Sequence, residues 1–343
     1  MRNILTVLLA FAAGVLLMLV LPGHRGLPEA TNPAHPTTSS SVAQPATASS
    51  VAGTDGEDSD AGTDDWPAQG PTPEQVLYAQ PRMLHDALAK LGPRATGKPN
   101  LYLVAFAGDG GEDVFRNEVE YAAQLFTTRF GPSAHALILE NHPDTLEKQP
   151  LASLSNLESA LDGLSATMKP EDILLLYVSS HGSEDHDLLV DLDPLPLDQI
   201  GPEDLTNALA RHPFKWKVVV VNACYSGGFV PALHGNGTLV LTAARTDRSS
   251  FGCGSDSDIT YFGKAWLVDA LNDTDDFIAA FKQAGTEISQ WETQGKLTPS
   301  EPQIDIGSGI AEQLALWRKG ATVGPRLPFE PASPASTSST TAQ

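Results

Sequence analysis

Residues 172–180 read DILLLYVSS and residues 217–223 read KVVVVNA, and each run stops at a residue with chemistry, His181 after the first and Cys224 after the second. Neither run alternates apolar with polar residues. Unbroken aliphatic character over so short a span is what a strand buried on both faces of a parallel sheet requires. LYLVAFA at 101–107, HALILEN at 135–141 and TLVLTAA at 238–244 are of the same kind, and PQIDI at 302–306 supplies a sixth, shorter strand. Helical patterns lie between and after them, over 113–130, 151–168, 202–211, 260–271, 275–293 and 309–319, and the GPED of 201–204 suits a helix start. This alternation predicts an α/β fold, a three-layer sandwich in which a mostly parallel six-stranded sheet is flanked by helices. A further helix within 73–96 is expected outside the main domain, which spans 97–319.

The ends of the chain are too biased in composition to join that core. Arg2 precedes an apolar run from Ile4 to Leu21, and at ~1.5 Å per residue such a run nearly crosses a ~30 Å hydrocarbon layer. Residues 1–21 are therefore a transmembrane anchor or a signal segment. The following LPGHRGLPEA lacks a clear small-x-small cleavage site, which favours the anchor. With Arg2 and the terminal amine inside, the rest of the chain is expected at the cell envelope, outside the cytoplasm on the periplasmic or extracellular side. Residues 22–72, rich in Ala, Ser, Thr and Pro with an acidic TDGEDSDAGTDD at 54–65, read as a disordered linker. They hold too few large apolar residues to offset their ordering entropy, and a tether of ~50 residues reaches on the order of 40 Å. The segment 320–343 reads as a disordered tail of the same type.

Asp+Glu number 42 against Lys+Arg 21, a formal net charge of −21. Such a surface repels nucleic acid, which is excluded as a partner. Two cysteines permit one disulfide at most and no zinc-ribbon pattern.

In an open parallel sheet, functional groups gather beyond the carboxyl ends of the strands. If the strands ending at His181 and Cys224 are neighbours, roughly 4.8 Å apart, their terminal side chains meet above the sheet. A free thiol, with a pKa of about 8.5, is mostly protonated at neutral pH, and an adjacent imidazole takes its proton or stabilises the thiolate. The expected chemistry is attack on a carbonyl, with the N–H groups of Gly182 and Cys224 as the oxyanion hole. Three rival readings stand beside it: a strand-end Cys that is only a small buried hydrophobe, a disulfide from Cys224 to Cys253, and a metal site of His181, Asp185, His186 and Asp187. The last lacks a helix-spaced ligand pair and reads better as a solvated acidic loop.

The motifs SSHGS (179–183) and NACYSGGF (222–229) resemble those of the legumain family of caspase-fold cysteine peptidases, in its bacterial form. VAFAGDGGEDVFRNEVEYA (104–122), LTAARTDRSSFGC (241–253) and TYFGKAW (260–266) extend the likeness over about 97–319. The resemblance implies a caspase-like sheet, a His181–Cys224 dyad and hydrolysis of peptide bonds in peptide or protein substrates, with no metal or organic cofactor. It also implies a substrate pocket containing Arg116, Asn222, Ser249 and Ser250. Asn222 stands where asparagine-specific members carry an acid, Lys264 lies near a second such departure, and Val114 replaces an Asn that supports the histidine. A pocket with Arg116, and Lys264 near it, is expected to favour an acidic or polar residue at the cleaved position. Transpeptidation through the same acyl-enzyme and a non-catalytic membrane-anchored binding module are the alternative functions.

Overall fold

The computed structural model describes residues 66–332. The expected anchor or signal segment at 1–21 and linker residues 22–65 lie outside the described residues, and among those described no helix is long and apolar enough to cross a membrane. Helix α1 (Pro73–Ala89) starts at a capping box in which Thr72 and Gln75 satisfy each other's backbone N–H groups. Strand β1 (Leu101–Ala107) leads through a glycine-rich loop to α2 (Asp113–Arg129), then to β2 (Ala134–Glu140), α3 (Leu154–Thr167), β3 (Ile173–Ser179), α4 (Pro202–Ala210), β4 (Trp216–Asn222) and β5 (Thr238–Thr242). Three consecutive pieces, Tyr261–Gly263, the wide turns of Lys264–Ala270 and Leu271–Asp273, together form α5. Helix α6 (Phe277–Gly295), strand β6 (Gln303–Ile306) and helix α7 (Ile310–Gly320) follow.

The strand order is β2-β1-β3-β4-β5-β6. The first five strands are parallel and β6 runs antiparallel to β5, so the six-stranded sheet is mixed, mostly parallel, and consistent with the caspase-like arrangement. Alternate residues of each central strand enter opposite cores. Leu103, Leu175, Tyr177, Val218 and Val220 join Phe115, Phe126, Trp266, Phe277 and Trp317 on the side of α2, α5, α6 and α7. Val104, Phe106, Leu176, Val219 and Val221 join Leu157, Leu161, Leu205 and Leu209 on the side of α3 and α4. A strand with an apolar core on each face has no position left for a polar residue, and this is why these runs are unbroken. Helix α1 lies outside α3, where buried Leu84 joins the second core.

Two features fix the upper edge of the sheet. The parallel register pairs Ser179 with Asn222, and the Ser180 N–H donates to the Asn222 carbonyl at 3.2 Å. His181 and Cys224, each two residues further on, therefore leave neighbouring strands at the same level. Beneath them Glu118 of α2 is fully buried. Its Oε2 accepts from Tyr177 Oη at 3.0 Å, Ser179 Oγ at 2.6 Å and Asn222 Nδ2 at 2.7 Å, and its Oε1 accepts from the Thr260 N–H at 2.8 Å. Burial raises its pKa in spite of these four donors. A Cβ at Gly263 would collide with the same carboxylate.

The tail departs from expectation. Residues 321–332 are not free of the domain but run as an extended strap along α2. Arg129 Nη1 donates to the Gly324 carbonyl at 2.7 Å, Tyr121 Oη to the Leu327 carbonyl at 2.9 Å, and the Ala332 N–H to Asn117 Oδ1 at 2.9 Å. Leu327 and Phe329 pack against the first core. Two apolar side chains and a set of satisfied backbone groups outweigh the Pro-rich composition that suggested disorder. Residues 333–343 lie outside the described residues.

Replacing Glu118 with Ala strands the donors of Tyr177, Ser179 and Asn222 in an apolar interior and opens a cavity. The expected loss is about 3 kcal/mol or more of unfolding free energy, measured as a lower urea midpoint at unchanged slope.

Candidate active site

The β3–α4 and β4–β5 loops meet above the sheet. A Cβ at Gly182 would collide with the Cys224 carbonyl oxygen and press on Ala223, so the backbone that follows His181 lies directly against the backbone that carries Cys224. Glycine is required there by this close approach. Tyr225 adopts a left-handed conformation with φ 55°, and Gly227 sits where a Cβ would collide with the Thr246 backbone nitrogen. The turn after Cys224 is thereby folded tightly under the loop after β5. Among the described residues neither the Gly182 nor the Cys224 N–H donates to a backbone acceptor, which leaves both donors available to an oxyanion.

The sulfur of Cys224 is set in a polar cradle built by the 249–253 loop. The Ser250 N–H donates to Sγ at 3.2 Å, and the Ser250 hydroxyl and carbonyl lie 3.6 and 3.7 Å away. Both cysteines are free, so the disulfide expected as a rival is not formed. The neighbouring Cys253 side chain, followed by Ser250 and Ser249, draws the Cys224 thiol down to about 5 against the opposing effect of burial. Cys253 is pushed up in turn, by Cys224 and by burial.

The His181 side chain is about one-third exposed, and its Nε2 lies 3.6 Å from Asp109 Oδ2. The edge of Phe115 packs on the imidazole with ring centroids 5.1 Å apart at 80°. Val114, where the resemblance implies an Asn beside the histidine, is a buried aliphatic residue. Asp109, from the β1–α2 loop, is the polar neighbour of His181, and sequence reasoning missed it. The only signal was an acid among glycines at the end of a strand, in AGDGG. His186 does not join His181; its Nδ1 faces the Tyr225 carbonyl at 3.1 Å and its Nε2 the Thr246 hydroxyl at 3.3 Å. Among the described residues no group of three or more His, Cys, Asp or Glu could hold a metal.

The other expected pocket residues are dispersed. Asn222 is buried in the Glu118 cluster, where its Nδ2 also donates to Thr260 Oγ1 at 2.9 Å. Arg116 is turned toward the loop after β2, paired with Asp113 at 3.1 Å and Asp144 at 3.2 Å, and its Nη1 donates to His142 Nδ1 at 2.9 Å. Desolvation and the neighbouring guanidinium lower the His142 pKa, in keeping with a neutral ring that accepts from Arg116 and donates from Nε2 to Asp113 at 2.8 Å. Lys264 is paired with Asp269 and lies over the Trp291 ring. Arg116 is thus engaged with its own neighbours, which removes the main basis for expecting an acidic cleaved residue. The cavity beside Asp109, about 380 Å³, is lined by Glu112, Asp113, Asp191 and Asp193 together with His142, Ser255 and Ser257.

With this geometry in hand, comparison with protein families gives a match to the Peptidase C13 family model over residues 155–312. That stretch of the chain is similar to the Peptidase C13 family. The match supports a legumain-like, caspase-fold cysteine peptidase, a class of hydrolase. The matched segment runs from α3 to α7 and contains His181, Cys224, Ser250 and Cys253. The β1–α2 loop with Asp109 precedes it. A search of curated proteins returns no match to this chain.

Alkylation by iodoacetamide reports the thiolate. The wild-type rate at Cys224, followed by peptide mass mapping, is expected to persist well below pH 8 and to fall only as the depressed pKa is crossed. In Cys253→Ala, which removes the neighbouring thiol, the midpoint shifts to higher pH.

Proposed function

We propose that this chain is an endopeptidase that works through a thioester acyl-enzyme, with Cys224 as nucleophile and His181 as proton carrier. The observation that carries this reading is the shared level of the two residues at neighbouring strand ends, with the backbone of Gly182 closed onto that of Cys224. The thiol gives its proton to the imidazole, and Sγ attacks the scissile carbonyl carbon. The resulting oxyanion is received by the N–H groups of Gly182 and Cys224. Collapse breaks the C–N bond while the imidazolium delivers its proton to the departing amine. Water, losing a proton to the imidazole, then attacks the thioester; the carboxylic acid leaves and the thiolate is restored. Hydrogen bonds from the 249–253 loop already favour the sulfur anion, so the larger task of His181 is protonation of the leaving group.

The acid-lined cavity and the net charge of −21 oppose anionic substrates. Peptides with Asp or Glu beside the cleaved bond are expected to be cut about 3- to 10-fold more slowly than their Asn or Gln counterparts, the difference shrinking at about 0.5 M salt.

A thiol-directed electrophilic peptide probe tests the nucleophile. Labelling of wild type, loss of labelling at the active site in Cys224→Ala, and a kcat about 100-fold or more lower in His181→Ala are the expected outcomes. Equal hydrolysis by wild type and Cys224→Ala would sink the assignment. The apolar run at 4–21 and the long polar segment behind it support a place at the cell envelope, with the peptidase domain exported and acting on exported proteins. Digestion of the domain by protease added to spheroplasts tests that placement, and full protection would count against it.

A further inference from the structure

The β1–α2 loop is held with unusual rigidity for a glycine-rich segment. Asp109 pairs with Asp191 in a parallel bridge, bracketed by Gly110 N–H to the Asp191 carbonyl at 2.9 Å and Asp191 N–H to the Gly108 carbonyl at 2.9 Å. A Cβ at Gly108 would meet Ser180 and the Leu189 carbonyl, so the loop is clamped onto the strand end that leads into His181. Within it Asp109 is 6 % exposed. One carboxylate oxygen, Oδ1, accepts the Gly111 N–H at 2.9 Å; the other, Oδ2, faces His181 Nε2 at 3.6 Å. A carboxylate buried to this degree is costly unless its oxygens find donors or a cation, and the imidazole is the group that answers Oδ2.

We infer that Asp109 is the positioning residue of His181, accepting a hydrogen bond from its Nε2–H and thereby leaving Nδ1 as the nitrogen that exchanges a proton with Cys224. The inference deepens the proposed hydrolase reading and rests on it for its kinetic consequence. A neutral imidazole carries one N–H, so fixing it at Nε2 fixes the tautomer. When Nδ1 takes the proton of the thiol, the ring becomes a cation between Asp109 and the sulfur. When Nδ1 passes that proton to the leaving amine, the ring returns to the same tautomer. Phe115 restrains the ring by an edge contact, so the carboxylate has only its rotation left to set. The 3.6 Å separation closes to a charge-assisted hydrogen bond by a small ring rotation once the cation forms. The remaining charges of this face are engaged elsewhere or add to the same field. Asp191 adjoins Asp109, and desolvation followed by repulsion from Asp109 and Asp193 raises its pKa. Glu184 accepts from the Tyr225 hydroxyl at 3.3 Å, and His186 contacts the Tyr225 carbonyl.

The test uses the full chain as wild type, Asp109→Ala and Asp109→Asn. Kinetics on a fluorogenic peptide are read beside NMR of ¹⁵N-histidine-labelled protein, with His181 assigned through His181→Gln. Asp109→Ala is expected to lower kcat about 10- to 100-fold with KM within about twofold, and to reduce the Nε2–H tautomer of His181. Asp109→Asn retains an acceptor oxygen and is expected to recover most of both losses. An unchanged kcat in folded Asp109→Ala overturns the inference, as does an unchanged His181 tautomer. If Asp109→Ala fails to fold, Asp109→Ser decides, since its short hydroxyl can still cap the loop but cannot reach the ring: a lowered kcat with loss of the Nε2–H tautomer supports the inference, and both unchanged overturn it. If the wild type cleaves no peptide, the hydrolase reading fails while the tautomer still decides the role of Asp109.

Discussion

A single fully buried carboxylate organises the edge of the sheet that carries the candidate site. Glu118 gathers the ends of β3 and β4 and the start of α5 onto two oxygens, and its isolation from solvent makes each of those bonds strong and their loss expensive. Strand pairing sets the register of β3 against β4, but pairing alone leaves the last residues of each strand free to fray. The Glu118 cluster closes that freedom at Ser179 and Asn222, two residues before His181 and Cys224. Placement of the site is thus inherited from a polar knot on the underside of the sheet edge.

Above that knot the two candidate catalytic side chains are surrounded by separate pieces of chain. The 249–253 loop surrounds the sulfur with hydrogen-bond donors, while the β1–α2 loop offers the imidazole a carboxylate and Phe115 gives it an aromatic edge. The loops come from opposite sides of the central strand pair and are joined mainly through the sheet. Arg116 is consumed in holding α2 to the loop after β2, and Lys264 pairs with Asp269 of its own helix.

The sheet was legible because strands such as ILLLYVS have two apolar cores to satisfy and no polar face to confuse the pattern. Cys224 and His181 were legible for a related reason, as polar punctuation at the tips of aliphatic runs. The antiparallel direction of β6 was not, since four residues with one buried flank carry no signal of polarity. Asp109 escaped notice because a loop has no period, and an acid between glycines looks like an ordinary turn residue. Arg116 and Asn222 were placed in a pocket by likeness, but their partners His142, Asp144 and Glu118 are distant in sequence and only the fold brings them together. The strap at 321–332 was hidden by its prolines, which serve there to keep an extended segment extended.

That strap lies over the outer face of α2, which would otherwise be open to solvent, and its hydrogen bond from Tyr121 to Leu327 spans 206 positions. Because a ribosome delivers the chain from its amino end, the helix that carries Glu118 is made long before its cover exists. Its Tyr121 face stays uncovered while the rest of the domain is translated, and the first core closes only when Phe329 arrives. For this molecule the completion of folding waits for residues 321–332 to emerge, and until then α2 is a surface that a nascent-chain chaperone has reason to protect.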